Sequence, residues 1–243
     1  MKKLILLIST ALLSTFVFAQ DTKNVVYDAN AQPRKVENFN SIEVSNAVSL
    51  YVSQGKETGV AVSVDGNENI DKIKTVVKNG VLSIYVDNGM WNKWSWGDKR
   101  IKAYVTVTDI NKIKASGASR VIIADKIKAT DLKLQLSGAS SLKGQIETAT
   151  LSLNISGASS ATLNGTTTTL NIDANGASSL KAYDLIANSC NAEASGASSI
   201  RVNVTKEFTK VQASGASSIK YKGDAVVKNF EASGASSIKK DSK

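Results

Sequence analysis

Polar and apolar residues alternate in a block that recurs through the second half of the chain. Each block ends at a glycine. The residues four and two positions before that glycine are apolar or small, and the residue between them is polar. The residues four before it are Ile113, Leu134, Leu153, Ile172, Ala192, Val211 and Phe230. The polar residues are Lys114, Gln135, Asn154, Asp173, Glu193, Gln212 and Glu231. A period of two predicts a β-strand with one buried and one exposed face.

The glycine belongs to a pentapeptide, Ser/Asn-Gly-Ala-Ser-Ser/Arg, which occurs seven times at intervals of 19 to 21 residues. Its glycines are Gly117, Gly138, Gly157, Gly176, Gly196, Gly215 and Gly234. An apolar residue four positions after each glycine predicts a second inward-facing strand. Such coils of about 20 residues are typical of a parallel β-helix, in which equivalent residues stack about 4.8 Å apart. We expect the alanines from Ala118 to Ala235 to form one ladder in a crowded inner corner and the serines from Ser119 to Ser236 to form another.

The N-terminal half departs from this repeat. Residues 39–52 form a degenerate copy with Ser45-Asn-Ala-Val-Ser49 at its corner, and further strands are predicted at 59–64, 73–78, 81–86 and 101–108. Asn79-Gly80 predicts a two-residue hairpin. We therefore divide the chain into an N-terminal segment (20–38), a degenerate first coil with an antiparallel insertion that caps the solenoid (39–109), and the repeats (110–240).

The first residues have the features of a secretory signal peptide. Lys2 and Lys3 precede an apolar stretch at 4–18, and Val17-Phe18-Ala19 offers the small residues of a cleavage site. Residues 1–19 are therefore expected to be removed, and the protein is expected to be exported to the periplasm or the cell surface. The apolar stretch is too short for a typical membrane span, so no transmembrane segment is predicted.

Composition removes several classes of catalytic site. The chain has no histidine and a single cysteine, which excludes Ser-His-Asp and Cys-His sites, zinc bound by histidine and an intramolecular disulfide. Cys190 occupies a position where other coils carry leucine, so we expect a buried structural thiol. The formal net charge of +9 favours anionic partners, although it also serves solubility.

Several segments together resemble a known family. They are Phe39-Asn-Ser-Ile-Glu-Val44, Asp65-Gly-Asn67, Gly80-Val-Leu-Ser-Ile84 and the serial Ser-Gly-Ala-Ser corners. This combination resembles the head domain of auto-transporter adhesins, the GIN domain, which is common in Bacteroidetes. The resemblance covers nearly all of the expected mature chain. It implies a right-handed β-helix with an adhesin-like role, and it brings no catalytic motif.

Two groups of residues are candidates for ligand binding. All three tryptophans lie within six residues, at Trp91, Trp94 and Trp96, where their rings could stack on sugars or instead plug the end of the solenoid. Five positions after the last four glycines stand Lys181, Arg201, Lys220 and Lys239, which we call the basic column. An outward column of like charges invites an anionic partner, or alternatively keeps the protein soluble and its edges unpaired.

The leading hypothesis is an exported, non-enzymatic protein that acts as an adhesin or binds a glycan or anionic polymer at the cell envelope. It predicts no cofactor, metal or nucleic-acid partner, and no particular oligomeric state. One alternative is a polysaccharide lyase or hydrolase. In that case Asp173 and Glu193, on adjacent coils, would be acids or calcium ligands, and Lys181 or Arg201 would be the base or an anion clamp. A further alternative is a purely structural envelope protein.

Overall fold

The computed structural model describes residues 28–65, 70–87 and 100–241, which form an all-β structure apart from one short 3₁₀ helix at Ile70–Lys72. The N-terminal strands are β1 (Gln32–Pro33), β2 (Ser41–Val44), β3 (Val48–Gln54), β4 (Gly59–Val64), β5 (Ile73–Lys78), β6 (Val81–Val86) and β7 (Ile101–Val107). The repeats form β8 (Lys112–Ala115), β9 (Arg120–Ile123), β10 (Ile127–Leu136), β11 (Ser141–Ile155), β12 (Ser160–Ala174), β13 (Ser179–Ala194), β14 (Ser199–Ala213), β15 (Ser218–Lys222), β16 (Val226–Val227), β17 (Phe230–Ala232) and β18 (Ser237–Lys240). Across the described ranges, no helix is long and apolar enough to span a membrane.

The repeats stack as a parallel solenoid, which confirms the predicted fold class. Leu153 is paired with Leu134 on the preceding coil and with Ile172 on the next, and all three side chains are buried. Asn154, one position along, lies on the outer face. The alternation in the sequence therefore reports the two faces of the inner strands correctly. In the last coil, β17 is exposed at every position, and Phe230 is 57% exposed.

The corners form the predicted ladder. The backbone N–H of Ala158 donates to the carbonyl oxygen of Gly138 at 2.8 Å, and that of Ala177 donates to Gly157 at 2.8 Å. The corner glycines have φ values between 70° and 74°. This left-handed region is open to glycine and strained for most other residues, so glycine is favoured at these seven corners. The degenerate corner reaches the same region with Asn46 and Ala47, whose φ values are 61° and 60°.

The expectation that the corner alanines lie in a crowded interior is wrong. The alanines from Ala118 to Ala235 are exposed, and the serine after each of them points inward instead, with those from Ser119 to Ser217 fully buried. A serine hydroxyl can donate to carbonyl groups at the tight turn, whereas a methyl group cannot. Thus Ser198 Oγ donates to the Ala174 carbonyl at 3.0 Å, and Ser217 Oγ donates to that of Ala194 at 3.1 Å.

The first coils follow a different order in space from their order in the chain. Strand β2 pairs in parallel with β8 on one side and with β6 on the other, and β3 lies likewise between β9 and β7. The predicted strands and the hairpin at Asn79-Gly80 are confirmed. However, β6 and β7 form a coil of their own, because β6 pairs with β2 and β7 pairs with β3. The sequence pattern did not show this, because this coil lacks a Gly-Ala-Ser corner.

Antiparallel strands cover the N-terminal end of the solenoid, as predicted. Strand β5 pairs antiparallel with β6, and β4 pairs antiparallel with β7 and with β1. They occupy strand edges that would otherwise expose unpaired backbone groups.

Cys190 lies inside the solenoid, where it is paired with Leu170 on one neighbouring strand and Phe208 on the other. All three side chains are fully buried. The expectation of a buried thiol is confirmed.

We expect the Cys190 thiol to stay unreactive toward a reagent such as DTNB while the protein is folded. Burial raises the pKa of this thiol, and the thiolate is the reactive form. Labelling followed by absorbance should be absent in native buffer and should appear in denaturant at the rate of unfolding. Labelling of the native protein as fast as that of a small free thiol would contradict the assignment.

Candidate functional site

The basic column is formed as the spacing predicts. Lys181 is paired in register with Arg201, Arg201 with Lys220, and Lys220 with Lys239. Three steps between parallel strands make this a stripe roughly 14 Å long. Lys181 and Lys239 are exposed, and Arg201 and Lys220 are partly exposed.

Among the described residues, the cations of the basic column lack the ion pairs that eight other lysines form with carboxylates. Ion pairs with carboxylates involve Lys102, Lys112, Lys114, Lys126, Lys128, Lys210, Lys228 and Lys240. Within the described part of the chain, no ion pair or side-chain hydrogen bond involves the four residues of the basic column. Because like charges on neighbouring strands repel one another, their alignment is not explained by the stability of the fold.

A β-bulge beside the basic column changes the shape of this face. Lys181 is opposite Thr162, but Asp184 is opposite Asn164, so β13 carries one more residue than β12 at this point. The bulge includes Tyr183. Its backbone carbonyl accepts a hydrogen bond from the side-chain amide of Asn203 at 3.3 Å. That contact supplies a partner where the ladder is interrupted.

The side chain of Tyr183 is held by contacts on two sides. Its hydroxyl donates to the carboxylate of Asp241, and the ammonium group of Lys222 lies 4.7 Å from the centre of its ring. Partial burial and the hydrogen bond to Asp241 raise the pKa of Tyr183 to about 12. The phenol therefore stays protonated at neutral pH and continues to donate.

These residues enclose a shallow groove that is open to solvent, with a volume of about 480 Å³. Its walls carry cations and carboxylates, and its lining residues are Thr162, Lys181, Tyr183, Asp184, Arg201, Lys220 and Asp241. Asp184 is exposed, and its carboxylate has no hydrogen bond or ion pair to the described residues.

Sequence reasoning identified the cations of this groove but missed Tyr183, Asp184 and Asp241. One signal was available for the first two. The interval from Gly176 to Gly196 is one residue longer than its neighbours, and the extra residue lies in the bulge. The approach of Asp241 from the last coil had no counterpart in the repeat pattern.

Toward the N-terminal end, the same outward column becomes apolar and aromatic. Lys143 is paired with Ile122, Ile122 with Tyr51, and Tyr51 with Tyr104. The two tyrosine rings are stacked, with centroids 5.2 Å apart and an interplanar angle of 22°. One face of the solenoid thus carries aromatic rings at one end and unpaired cations at the other.

Asp28 attaches the N-terminal segment to the aromatic end of this face. Its carboxylate accepts hydrogen bonds from the hydroxyls of Tyr104 at 2.7 Å and Ser63 at 2.8 Å, and it pairs with Lys102 at 3.4 Å. The hydrogen bond from Tyr104 is the main reason that the pKa of Asp28 falls to about 2. Asp28 is therefore ionised and bound at any physiological pH.

Comparison with known proteins identifies the family. Residues 38–225 match the model of the family described as "Putative auto-transporter adhesin, head GIN domain". The chain belongs to the GIN domain family. The resemblance based on sequence segments is therefore confirmed. Among curated proteins, none matches the chain.

Solved structures share the GIN fold at low sequence identity. A "putative adhesin" from Bacteroides fragilis has a TM-score of 0.78 and 24% identity, with 87% of this chain and 96% of that chain covered. A "putative adhesin" from Parabacteroides merdae has a TM-score of 0.65 and 18% identity, with 87% and 95% covered. A "putative lipid binding protein" from Parabacteroides distasonis has a TM-score of 0.62 and 20% identity, with 88% and 98% covered. The family and these neighbours are described as adhesins or a lipid-binding protein, and none is described as an enzyme.

The carboxylates of the enzyme alternative are adjacent in this GIN domain, but each has a separate partner. Asp173 is paired in register with Glu193. Asp173 accepts from the side-chain amide of Asn175 at 2.6 Å, and Glu193 accepts from Lys210 at 2.8 Å. They line a different groove from Lys181, so the proposed acids and base are not brought together. The described ranges contain no cluster of three or more acidic or cysteine side chains that could hold a metal ion. The structure therefore does not favour the enzyme alternative.

The tryptophan candidates Trp91, Trp94 and Trp96 lie outside the described residues. Their role, either in sugar binding or as a plug at the end of the solenoid, therefore stays a prediction.

Proposed function

We propose that this GIN domain protein is an exported, non-enzymatic adhesin that binds an anionic glycan or similar polymer of a cell surface through the basic column. The observation that carries the proposal is the alignment of four cations on consecutive coils, none of which forms an ion pair or side-chain hydrogen bond with the described residues. A signal peptide at 1–19 would deliver the protein to the envelope, where such polymers occur.

The geometry of the basic column suits an extended polymer. The charges repeat once per coil along a straight stripe, so a chain lying parallel to the solenoid axis could meet several of them at once. Several weak contacts on one polymer reinforce one another, because each later contact forms within the same complex. Trp91, Trp94 and Trp96 are proposed as a second contact to such a glycan.

Charge reversal of Lys181, Arg201 and Lys220 to glutamate is expected to abolish retention on an acidic polysaccharide matrix at low salt. Binding by the parent should weaken as salt rises, because the Debye length falls from about 10 Å at 0.1 M to about 3 Å at 1 M. Retention is measured by elution along a salt gradient. The melting temperature should barely change, because these side chains point outward.

A matched control reverses Lys56, Lys133 and Lys206, which are exposed lysines outside the basic column. It alters the net charge by the same amount and should retain most of the binding. If both triple variants elute at the same salt concentration, the net charge of the protein explains the retention. The basic column is then only a solvated face, as in the alternative of a purely structural protein. Retention on anionic lipid vesicles but not on any acidic polysaccharide would replace the glycan with a membrane surface.

A further inference from the structure

The groove beside the basic column contains both cations and carboxylates. A surface that only bound a densely charged polyanion would not include carboxylates. Lys181, Arg201 and Lys220 supply positive charge, whereas Asp184 and Asp241 add carboxylates to the same groove. Asp241 already accepts the hydroxyl of Tyr183. Asp184 is unpaired within the described part of the chain, so it remains a free acceptor beside three free cations.

The free carboxylate of Asp184 restricts what the groove can hold. An ionised carboxylate only accepts hydrogen bonds, so it requires a donor on the ligand and repels a second anion. The cations require an acceptor, best an anionic one, and an arginine can bind a carboxylate through two parallel hydrogen bonds. A matching ligand therefore presents an anionic group and hydroxyl donors close together.

Tyr183, which lies between these charged groups, is held in place without a ligand. Tyr183 is fixed at its hydroxyl by Asp241, at its ring by Lys222 and at its carbonyl by Asn203. A side chain that is already ordered loses little freedom on binding. An aromatic ring beside hydrogen-bonding groups also suits a sugar, which has apolar ring faces and polar edges.

We infer that this groove binds one acidic sugar unit of the polymer. The carboxylate of the sugar meets Lys181, Arg201 and Lys220, and a hydroxyl of the same sugar donates to Asp184. The inference rests on the proposed function and goes further, because it selects acidic sugars over polymers whose charges lack hydroxyl groups. Asp184 is the residue that determines this specificity.

The test compares three probes that separate charge from hydroxyl groups. Polygalacturonate carries both, its methyl ester carries hydroxyls without the charge, and polyphosphate carries charge without sugar hydroxyls. Binding to the full protein is measured by calorimetry at low salt. We expect the parent to bind polygalacturonate about tenfold or more tightly than either other probe, the discrimination expected for one charge-assisted hydrogen bond.

Replacing Asp184 by asparagine should reverse part of this preference. Affinity for polygalacturonate should fall about tenfold, because the hydroxyl loses a charged acceptor, while affinity for polyphosphate should rise. The matched control Asp131→Asn removes an exposed carboxylate elsewhere. It should change neither the affinity for polygalacturonate nor the affinity for polyphosphate.

Two results would overturn the inference while leaving the proposed function intact. One is equal affinity of the parent for polyphosphate and polygalacturonate. The other is an Asp184→Asn variant that binds both anionic polymers more tightly. Failure of the parent to bind any of the three probes, or binding unaffected by reversal of the basic column, would instead count against the proposed function itself.

Discussion

Replacement of Leu153 by alanine is expected to lower the free energy of unfolding by about 2–5 kcal/mol. Leu153 is 1% exposed and packs in one column with Leu134 and Ile172. The neighbouring coils are held by their own backbone ladders and cannot close around the missing atoms. The substitution therefore leaves a cavity in addition to losing buried apolar surface. Equilibrium unfolding in urea gives the difference.

The control for this prediction is the next residue. Asn154→Ala changes a side chain on the outer face and should alter the free energy of unfolding by no more than about 0.5 kcal/mol. Similar losses for the two variants would mean that the inner and outer faces of β11 have been exchanged.

Gly157→Ala is expected to cost about 2–4 kcal/mol, although it adds only one methyl group. Gly157 has a φ of 72°, and a Cβ built there would lie 2.5 Å from the carbonyl oxygen of Gly138. That oxygen accepts the ladder hydrogen bond from Ala158. The methyl group would therefore displace the preceding corner or break the bond, and thermal and urea unfolding would both report the loss.

Ala158→Ser tests the revised orientation of the corner. Because Ala158 is exposed, a serine there should change the free energy of unfolding by less than about 0.5 kcal/mol. A loss as large as that of Gly157→Ala would place the alanine in the interior after all.

The solenoid could be predicted because its physical requirements repeat along the chain. Each coil that has a neighbour on both sides buries the residues four and two before its glycine, so the same alternation appears at Leu134, Leu153 and Ile172. The basic column followed from the same logic, since equal offsets from the glycine become neighbours once the coils are in register. Asn79-Gly80 was equally informative, because both residues take the positive φ values that this hairpin turn needs.

Other features depend on contacts that a repeat pattern does not contain. The orientation of Ala158 follows from the positive φ of the glycine before it, which turns the next serine rather than the alanine toward the interior. The pairing of β2 with both β6 and β8 joins segments far apart in the chain, without a shared corner motif. Tyr183 becomes part of a groove only because Asp241, 58 residues away, accepts its hydroxyl.

The position of the β2–β3 coil between the β6–β7 and β8–β9 coils divides the molecule into two parts with different tolerance of change in length. In the later repeats, duplication or deletion of one unit of about 19 residues rejoins strands that already match, so the shaft can lengthen or shorten in whole units. The first three coils are interleaved, and removal of the β2–β3 coil would leave the β6–β7 and β8–β9 coils without the strands that lie between them. Natural or engineered variants of different length should therefore differ in the number of later repeats and keep the interleaved base unchanged.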